Sequence, residues 1–239
     1  RSNILRAAVL YEQGGIYLDL DTVTLSSLRP LLNSPQFLGY EHIVWPYFVI
    51  KSRSPLLKLK SEALSIARTI CRLLPAGYRV FRKLSPLYYE CVNGAIAGGV
   101  ARAPLMASYL RAMLRVPRER QLQPHALGTY LLQEIVGGYT GDDLQIHGPD
   151  VFYPLAPEVS EHWFRIVERV DLADVVRPTT RVVHWYASVR TRELLPKISP
   201  SYVKMHASRQ LYSALVAPFV EVPGDDSARD GIRPSVGSA

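Results

Sequence analysis

The stretch Gly14–Thr22, GGIYLDLDT, sets two glycines before a short apolar run and two aspartates at its end. Glycine commonly ends a helix, and the apolar residues that follow predict a strand from Ile16 to Leu20. Side chains alternate along a strand, so Asp19 and Asp21 are expected on one face and Leu20 on the other. Neighbouring carboxylates repel unless a cation offsets their charge. The pair is therefore a candidate metal site.

The residues before the glycines predict a helix with a polar and an apolar side. Asn3 and Arg6 are three positions apart and share one side. Arg6 carries a fixed charge that suits a phosphate or a carboxylate, in a ligand or in a structural ion pair. Carboxylates at a strand end suit Mg²⁺ or Mn²⁺, which keep positions open for phosphate oxygens. The apolar stripe of this helix is expected at Ile4, Leu5, Ala8 and Val9.

The rest of the chain alternates predicted helices and strands, which indicates an α/β fold. Helices are predicted at 55–74, 104–115 and 126–136, and strands at 91–97 (ending in Gly98 and Gly99), 144–146 and 181–186. From Pro223 onward the composition is rich in Gly, Ser, Asp and Pro, which is typical of disorder. We expect one folded domain over residues 1–222 and a disordered tail over 223–239.

The chain has 239 residues and a net charge of +7, with basic residues concentrated between Lys51 and Lys83. No nucleic-acid-binding motif accompanies this charge, so we expect no nucleic acid partner. A solvated helix face and attraction for an anionic small substrate explain it better. An amphipathic helix at 55–74 is also compatible with a membrane surface, although packing on a sheet is favoured. Cys71 and Cys91 suggest buried thiols or one disulfide.

The same aspartates fit a second class of enzyme. Haloacid-dehalogenase-type phosphatases have a D-x-D-x-[TV] motif, and residues 19–23 conform to it. Asp19 would then be a nucleophile and Asp21 a general acid or base on Mg²⁺. Asp142 and Asp143 would supply the late acidic motif. A helix and two glycines precede this strand, however, where such a domain normally begins, and no suitably placed lysine follows.

Residues 2–25, SNILRAAVLYEQGGIYLDLDTVTL, resemble the signature of DXD glycosyltransferases. That family includes fungal initiating mannosyltransferases and animal α-1,4-galactosyl- and α-1,4-N-acetylglucosaminyltransferases. Looser similarities extend the resemblance to about residue 190: Val92–Ala95, Gly128–Leu132, Val151–Pro154 and Val183–Tyr186. Asn3 departs from the family pattern, which has an aspartate at that position. An amide can bind a sugar hydroxyl but supplies no charge.

The resemblance implies a GT-A, Rossmann-like fold whose N-terminal strand and helix precede this chain. It implies transfer of a hexose, with retention at the anomeric carbon, from a UDP- or GDP-linked sugar to a hydroxyl acceptor on a glycan, glycolipid or protein. Mn²⁺ or Mg²⁺ would be held by Asp19, Asp21 and His184. Asp19, Asp21 and Arg6 would act in catalysis, and the donor would be bound by Asn3, Arg6, Asp19, Asn93, Gly94 and Trp185.

The resemblance leaves a third class open, a non-catalytic relative that binds a nucleotide-sugar or serves as a scaffold. It also implies membrane proximity through an N-terminal anchor absent from this chain. The compartment depends on the source of the protein. It would be the Golgi lumen in a eukaryote and the cytoplasm in a bacterium.

Overall fold

The computed structural model describes residues 2–121, 126–187, 189 and 191–221. The expected tail from residue 223 onward lies outside these residues. The helices within them are α1 (Ser2–Gln13), α2 (Tyr47–Lys51), α3 (Pro55–Leu73), α4 (Gly77–Leu84), α5 (Pro104–Arg115), α6 (Arg118–Gln121), α7 (Thr129–Gly137), α8 (Pro149–Phe152), α9 (Pro200–His206) and α10 (Leu211–Val216).

The described strands form a four-stranded mixed sheet and a separate two-stranded ribbon. The strands are β1 (Gly15–Leu18), β2 (Thr22–Thr24), β3 (Gln36–Ile43), β4 (Tyr89–Gly99), β5 (Leu144–His147) and β6 (Val182–His184). The sheet has the order β1-β4-β3-β5; β4 is antiparallel to β1 and β3, whereas β5 is parallel to β3. β2 and β6 form the antiparallel ribbon. This mixed α/β architecture is compatible with a Rossmann-like GT-A fold.

The first predicted strand is shorter than the sequence pattern indicated. β1 ends at Leu18, and residues 19–21 form the turn that leads into β2. The prediction that Leu20 lies on the sheet face opposite the aspartates is wrong, because this side chain is fully exposed at the turn. The turn, and not strand alternation, determines the directions of Asp19 and Asp21.

Helix α1 packs through a different face from the one expected. Ala7 and Leu10 are buried, whereas Ile4, Leu5 and Val9 are exposed. Residues 3, 6, 7 and 10 lie on one helical face, so α1 buries the side that carries Asn3 and Arg6. The polar contacts of Arg6 with the sheet side of the molecule explain this choice, which hydrophobicity alone could not predict.

Gly14 ends α1 and turns the chain into β1. Its φ is +68°, and its N–H donates to the Leu10 carbonyl at 2.9 Å. A Cβ atom here would lie 2.6 Å from the backbone nitrogen of Ala101. Glycine is therefore required both by the left-handed conformation and by the close backbone approach.

Other sequence predictions agree with the structure to within a few residues. The predicted helices at 55–74, 104–115 and 126–136 correspond to α3, α5 and α7, and the two later strands correspond to β5 and β6. Gly98 and Gly99 are the last two residues of β4, as expected, and they pair with β1 and β3. Cys71 and Cys91 are free and buried, so the alternative of a disulfide is wrong. Among the described helices, none combines the length and apolar character of a membrane span.

Candidate metal and donor site

The ribbon of β2 and β6 brings the two aspartates next to His184. In its register, Thr22 pairs with His184 and Val23 with Val183. The Trp185 N–H extends this pairing by donating to the Asp21 carbonyl at 3.1 Å. As a result, one ligand atom from each of Asp19, Asp21 and His184 lies within 4.8 Å of the other two.

The Asp21 carboxylate is fixed at both oxygens. Its Oδ1 lies 3.1 Å from His184 Nε2, and its Oδ2 accepts a hydrogen bond from the Ala187 N–H at 2.7 Å. Burial alone would raise the pKa of Asp21, but the hydrogen bonds from His184 and Ala187 outweigh it, and the pKa lies below its ordinary value. Asp21 is therefore ionised and preoriented at neutral pH.

Asp19 is held by a cation from α1. Its Oδ1 accepts hydrogen bonds from Arg6 Nη2 and from the Tyr17 hydroxyl, both at 2.6 Å. Arg6 also donates through Nη1 to the Gly94 carbonyl and lies over the Tyr17 ring at 4.3 Å. The Arg6 guanidinium thus connects α1 with β1 and β4. Its hydrogen bond to Oδ1 orients the Asp19 carboxylate. The bonds from Arg6 and Tyr17 to this carboxylate are both to Oδ1.

The donor set fits a divalent metal. Two carboxylates and an imidazole are ligands that Mn²⁺ accepts and Mg²⁺ tolerates. Neighbouring ligands of an octahedral ion with bonds of ~2.1 Å are about 3 Å apart, and His184 Nε2 and Asp21 Oδ1 are 3.1 Å apart. His184 is buried, and its Nδ1 has no hydrogen-bond partner in the described part of the chain. Before a metal binds, the Asp21 carboxylate beside Nε2 favours the proton on Nε2. A metal held by Nε2 would displace that proton, and the neutral ring would then carry its proton on Nδ1.

A cleft of about 400 Å³ opens beside this cluster. Five of the residues predicted to bind the donor line it, together with His184 and the beginning of α7. The lining includes Asn3, Arg6, Asp19, Asn93, Gly94, Tyr109, Gly128, Thr129 and His184. A Cβ on Gly94 would lie 3.2 Å from Arg6 Nη1, so the absence of a side chain there makes room for the guanidinium.

Trp185, the remaining residue predicted to bind the donor, is not among those that line the cleft. Its ring packs against Phe164 and Tyr212, with centroids 5.5 and 5.1 Å away. These residues belong to a core that the C-terminal segments form together with α3 and α4. Adjacent strand residues point to opposite sides, so the direction that brings His184 into the cleft sends Trp185 into that core.

The structure also contains a second cavity with a buried acidic residue beside it, and the sequence did not predict either of them. The cavity has a volume of about 350 Å³ and shares Asn93 and Thr129 with the first cleft. Glu41, in β3, lies at its wall and accepts a hydrogen bond from the Tyr186 hydroxyl at 2.7 Å. Burial raises the pKa of Glu41 to about 7, although hydrogen bonds from Asn93 and Tyr186 oppose the shift. A carboxylate inside the apolar run of β3 was the available signal.

Tyr186 has an unusual backbone conformation next to the cluster. Its φ is +57°, which is strained for a large side chain. The turn directs the Ala187 N–H to Asp21 and the Tyr186 hydroxyl to Glu41. The Tyr186 ring also lies 4.1 Å from the His184 ring. One strained residue thus connects the Asp21 carboxylate, the His184 ring and the buried Glu41.

Residues 1–38 match a family model, the glycosyltransferase sugar-binding region containing the DXD motif. This match supports that family for the chain, without distinguishing a subtype. The matched segment contains Asn3, Arg6, Asp19 and Asp21. No curated protein and no solved structure matches the chain.

The positions of the acidic residues argue against the phosphatase alternative. Asp143, in its proposed late motif, accepts hydrogen bonds from Gln36 and Tyr139 at the β5 end of the sheet. β5 and β1 are at opposite edges of that sheet. Among the described residues, Asp19, Asp21 and His184 form the cluster able to hold a metal, and Asp143 is not in it.

Proposed function

We propose that this chain transfers a hexose from a UDP- or GDP-linked sugar to a hydroxyl acceptor, using Mn²⁺ or Mg²⁺. One observation carries the proposal: Asp19 and Asp21, within the segment that matches the glycosyltransferase model, lie beside His184 in a cleft that also contains Arg6. Asp19, Asp21 and His184 would hold the metal. Bound there, it would neutralise the diphosphate leaving group as a Lewis acid.

The chain's own residues would orient the donor before the bond breaks. Arg6 fixes Asp19 and contributes positive charge at the cleft wall, where a preorganised cation stabilises developing negative charge. Asn3 offers an amide that donates to or accepts from sugar hydroxyls. Thr129 begins α7 at the cleft, and the N–H groups of a first helical turn are suited to phosphate oxygens.

The acceptor would occupy the second cavity. That cavity adjoins the donor cleft at Asn93 and Thr129, so a hydroxyl bound in it would lie near the sugar carbon. Its walls combine the aromatic residues Trp45 and Tyr130 with polar groups, a combination suited to a glycan or a glycolipid headgroup. Retention of the anomeric configuration follows from the family resemblance, and NMR of the product would determine it.

A panel of nucleotide-sugars tests the proposal. The full chain, with Mn²⁺, should convert at least one donor by hydrolysis or transfer, and Asp21→Asn should lower that rate by at least ~100-fold. Asp142→Asn removes the same charge from an exposed position and should leave the rate unchanged.

Two outcomes would contradict the proposal. Metal and nucleotide binding without turnover would assign the chain to the non-catalytic relatives. Phosphate release from p-nitrophenyl phosphate with a phosphoaspartate at Asp19 would favour the phosphatase.

A further inference from the structure

Helix α3 has an exposed apolar face. Leu56, Leu59, Ile66, Ile70 and Leu73 are between 52% and 78% exposed, and Ala63 lies exposed among them. The spacing alternates between three and four residues. At ~100° per residue these six side chains fall within an arc of about 100°, so they form one continuous stripe along the helix.

The opposite side of α3 already supplies its contacts with the protein. Ser61, Leu64 and Cys71 are buried there, and Arg68 forms an ion pair with Glu158 at 3.1 Å. The exposed stripe therefore lies on the side of α3 that faces away from these contacts. Contiguous apolar surface of this kind marks an interaction site.

Helix α2 extends this surface. Phe48 and Ile50 are about half exposed. The Phe48 ring lies 5.4 Å from the Tyr89 ring, and the Tyr89 hydroxyl is 3.5 Å from the Leu57 carbonyl in the first turn of α3. These contacts place Phe48 near the first turn of α3, and Ile50 lies in the same short helix as Phe48.

The charges beside the stripe are predominantly positive, and Glu62 is the only acid in α3. Lys51, Arg53, Lys58 and Lys60 are exposed and form no ion pair with an acid in the described part of the chain. The arginines further along, by contrast, are neutralised by acids: Arg68 by Glu158, Arg72 by Glu161, Arg79 by Asp174 and Arg82 by Asp150. The unneutralised cations are therefore concentrated at the N-terminal half of the apolar face.

We propose that α2 and α3 dock this face on an anionic lipid surface, with α3 lying in the plane of the membrane. The apolar stripe would enter the boundary between headgroups and acyl chains, and the four cations would contact anionic headgroups. Pairing of two α3 faces is disfavoured, since Glu62 is the only acid between residues 51 and 83 available to meet those cations.

Docking would also place the second cavity near the lipid. Arg68, on the other side of α3, lines that cavity, about one helix diameter (~10 Å) from the membrane. The docking inference does not rest on the proposed function, because it uses only exposure and charge. A negative result in the vesicle-binding experiment would therefore leave the proposed sugar transfer untouched, and a negative result in the transfer assay would leave the docking inference untouched.

Vesicle flotation of the full chain tests the inference. The protein should float with vesicles of 70% phosphatidylcholine and 30% phosphatidylserine, and at least ~10-fold less with phosphatidylcholine alone. The double variant Leu59→Glu/Ile66→Glu should lose at least ~10-fold of the binding. The control Leu114→Glu/Met205→Glu changes apolar residues outside α3 that are at least as exposed, and it should bind like the wild type. Unchanged circular dichroism would show that both variants fold.

The contribution of charge is tested separately. Lys51→Gln/Lys58→Gln should weaken vesicle binding several-fold, and added salt should weaken it further, whereas Lys197→Gln/Lys204→Gln should not. Absence of binding to the anionic vesicles, or equal binding by Leu59→Glu/Ile66→Glu, would overturn the inference. So would a stable dimer, seen by analytical ultracentrifugation, that this variant abolishes, because a second copy would then cover the face.

Discussion

His184 Nε2 lies 3.1 Å from Asp21 Oδ1, although 163 positions separate the two residues in the chain. The β2–β6 register fixes this contact through its Thr22–His184 pair and the hydrogen bond from Trp185 to the Asp21 carbonyl. A shift of one residue in that register would turn His184 away from the aspartates. The candidate site therefore depends on the ribbon as much as on the DXD motif itself.

Arg6 is expected to contribute to both stability and activity. Arg6→Ala would leave the half-buried Asp19 carboxylate without its cation, which should cost about 1–3 kcal/mol of unfolding free energy. Loss of Asp19 orientation should lower turnover by at least ~10-fold. Urea denaturation and single-donor kinetics measure the two effects. The exposed Arg102 pair with Glu12 supplies the control, and Arg102→Ala should change the stability by less than about 1 kcal/mol.

The pH dependence of stability should reveal Glu41. Its pKa rises from 4.5 to about 7 on folding, because burial disfavours the charged form. Between these values the native state binds more protons than the unfolded state, so this group alone lowers the unfolding free energy as pH rises, by about 3 kcal/mol. Glu41→Gln should remove this decrease. The measurement is the difference in unfolding free energy between the variant and the wild type as a function of pH.

His42 makes this comparison with the wild type necessary. Burial lowers the pKa of His42 to about 4, so its contribution to stability grows as pH rises from about 4 to 6.5 and opposes that of Glu41. The two trends offset each other in the wild type, and only the difference isolates Glu41. A difference that stays constant from pH 4.5 to 7.5 would show that Glu41 does not titrate as stated.

Gly98 lies where there is no space for a Cβ atom. A Cβ there would lie 2.2 Å from Cε1 of the buried Phe37, so Gly98→Ala should cost about 1–3 kcal/mol through overpacking. Gly137 has open space around its Cβ position and lies at the end of α7. Gly137→Ala should be neutral or stabilise by up to about 1 kcal/mol. Thermal denaturation compares the two, and equal effects would contradict the packing account.

Asn3 is expected to influence the choice of donor. It lines the cleft on the same helical face as Arg6 and supplies an amide where the related family pattern has an aspartate. Asn3→Asp should raise the turnover or shift the preference among nucleotide-sugars, since a carboxylate binds sugar hydroxyls more strongly. Identical rates across the donor panel would show that this position does not select the donor.

The sequence predicted the local parts of the site better than its long-range parts. The glycine turn and the DXD spacing are local, and they correctly indicated a converging acidic pair. The positions of Glu41 and Tyr186 follow from contacts between β3 and the end of β6, 145 positions apart, which no periodicity encodes. Leu5 and Val9 belong to the apolar stripe that the sequence predicts for α1, yet they are exposed, because the polar contacts of Arg6 determine which face of the helix is buried.

Mn²⁺ binding, followed by electron paramagnetic resonance of the free ion in the presence of UDP or GDP, tests the central claim most directly. The wild type should show a saturable site, and Asp21→Asn and His184→Gln should each weaken it by at least ~10-fold. Asp142→Asn should bind like the wild type. Equal Mn²⁺ binding by all four proteins, or none by the wild type, would contradict a metal held by Asp19, Asp21 and His184.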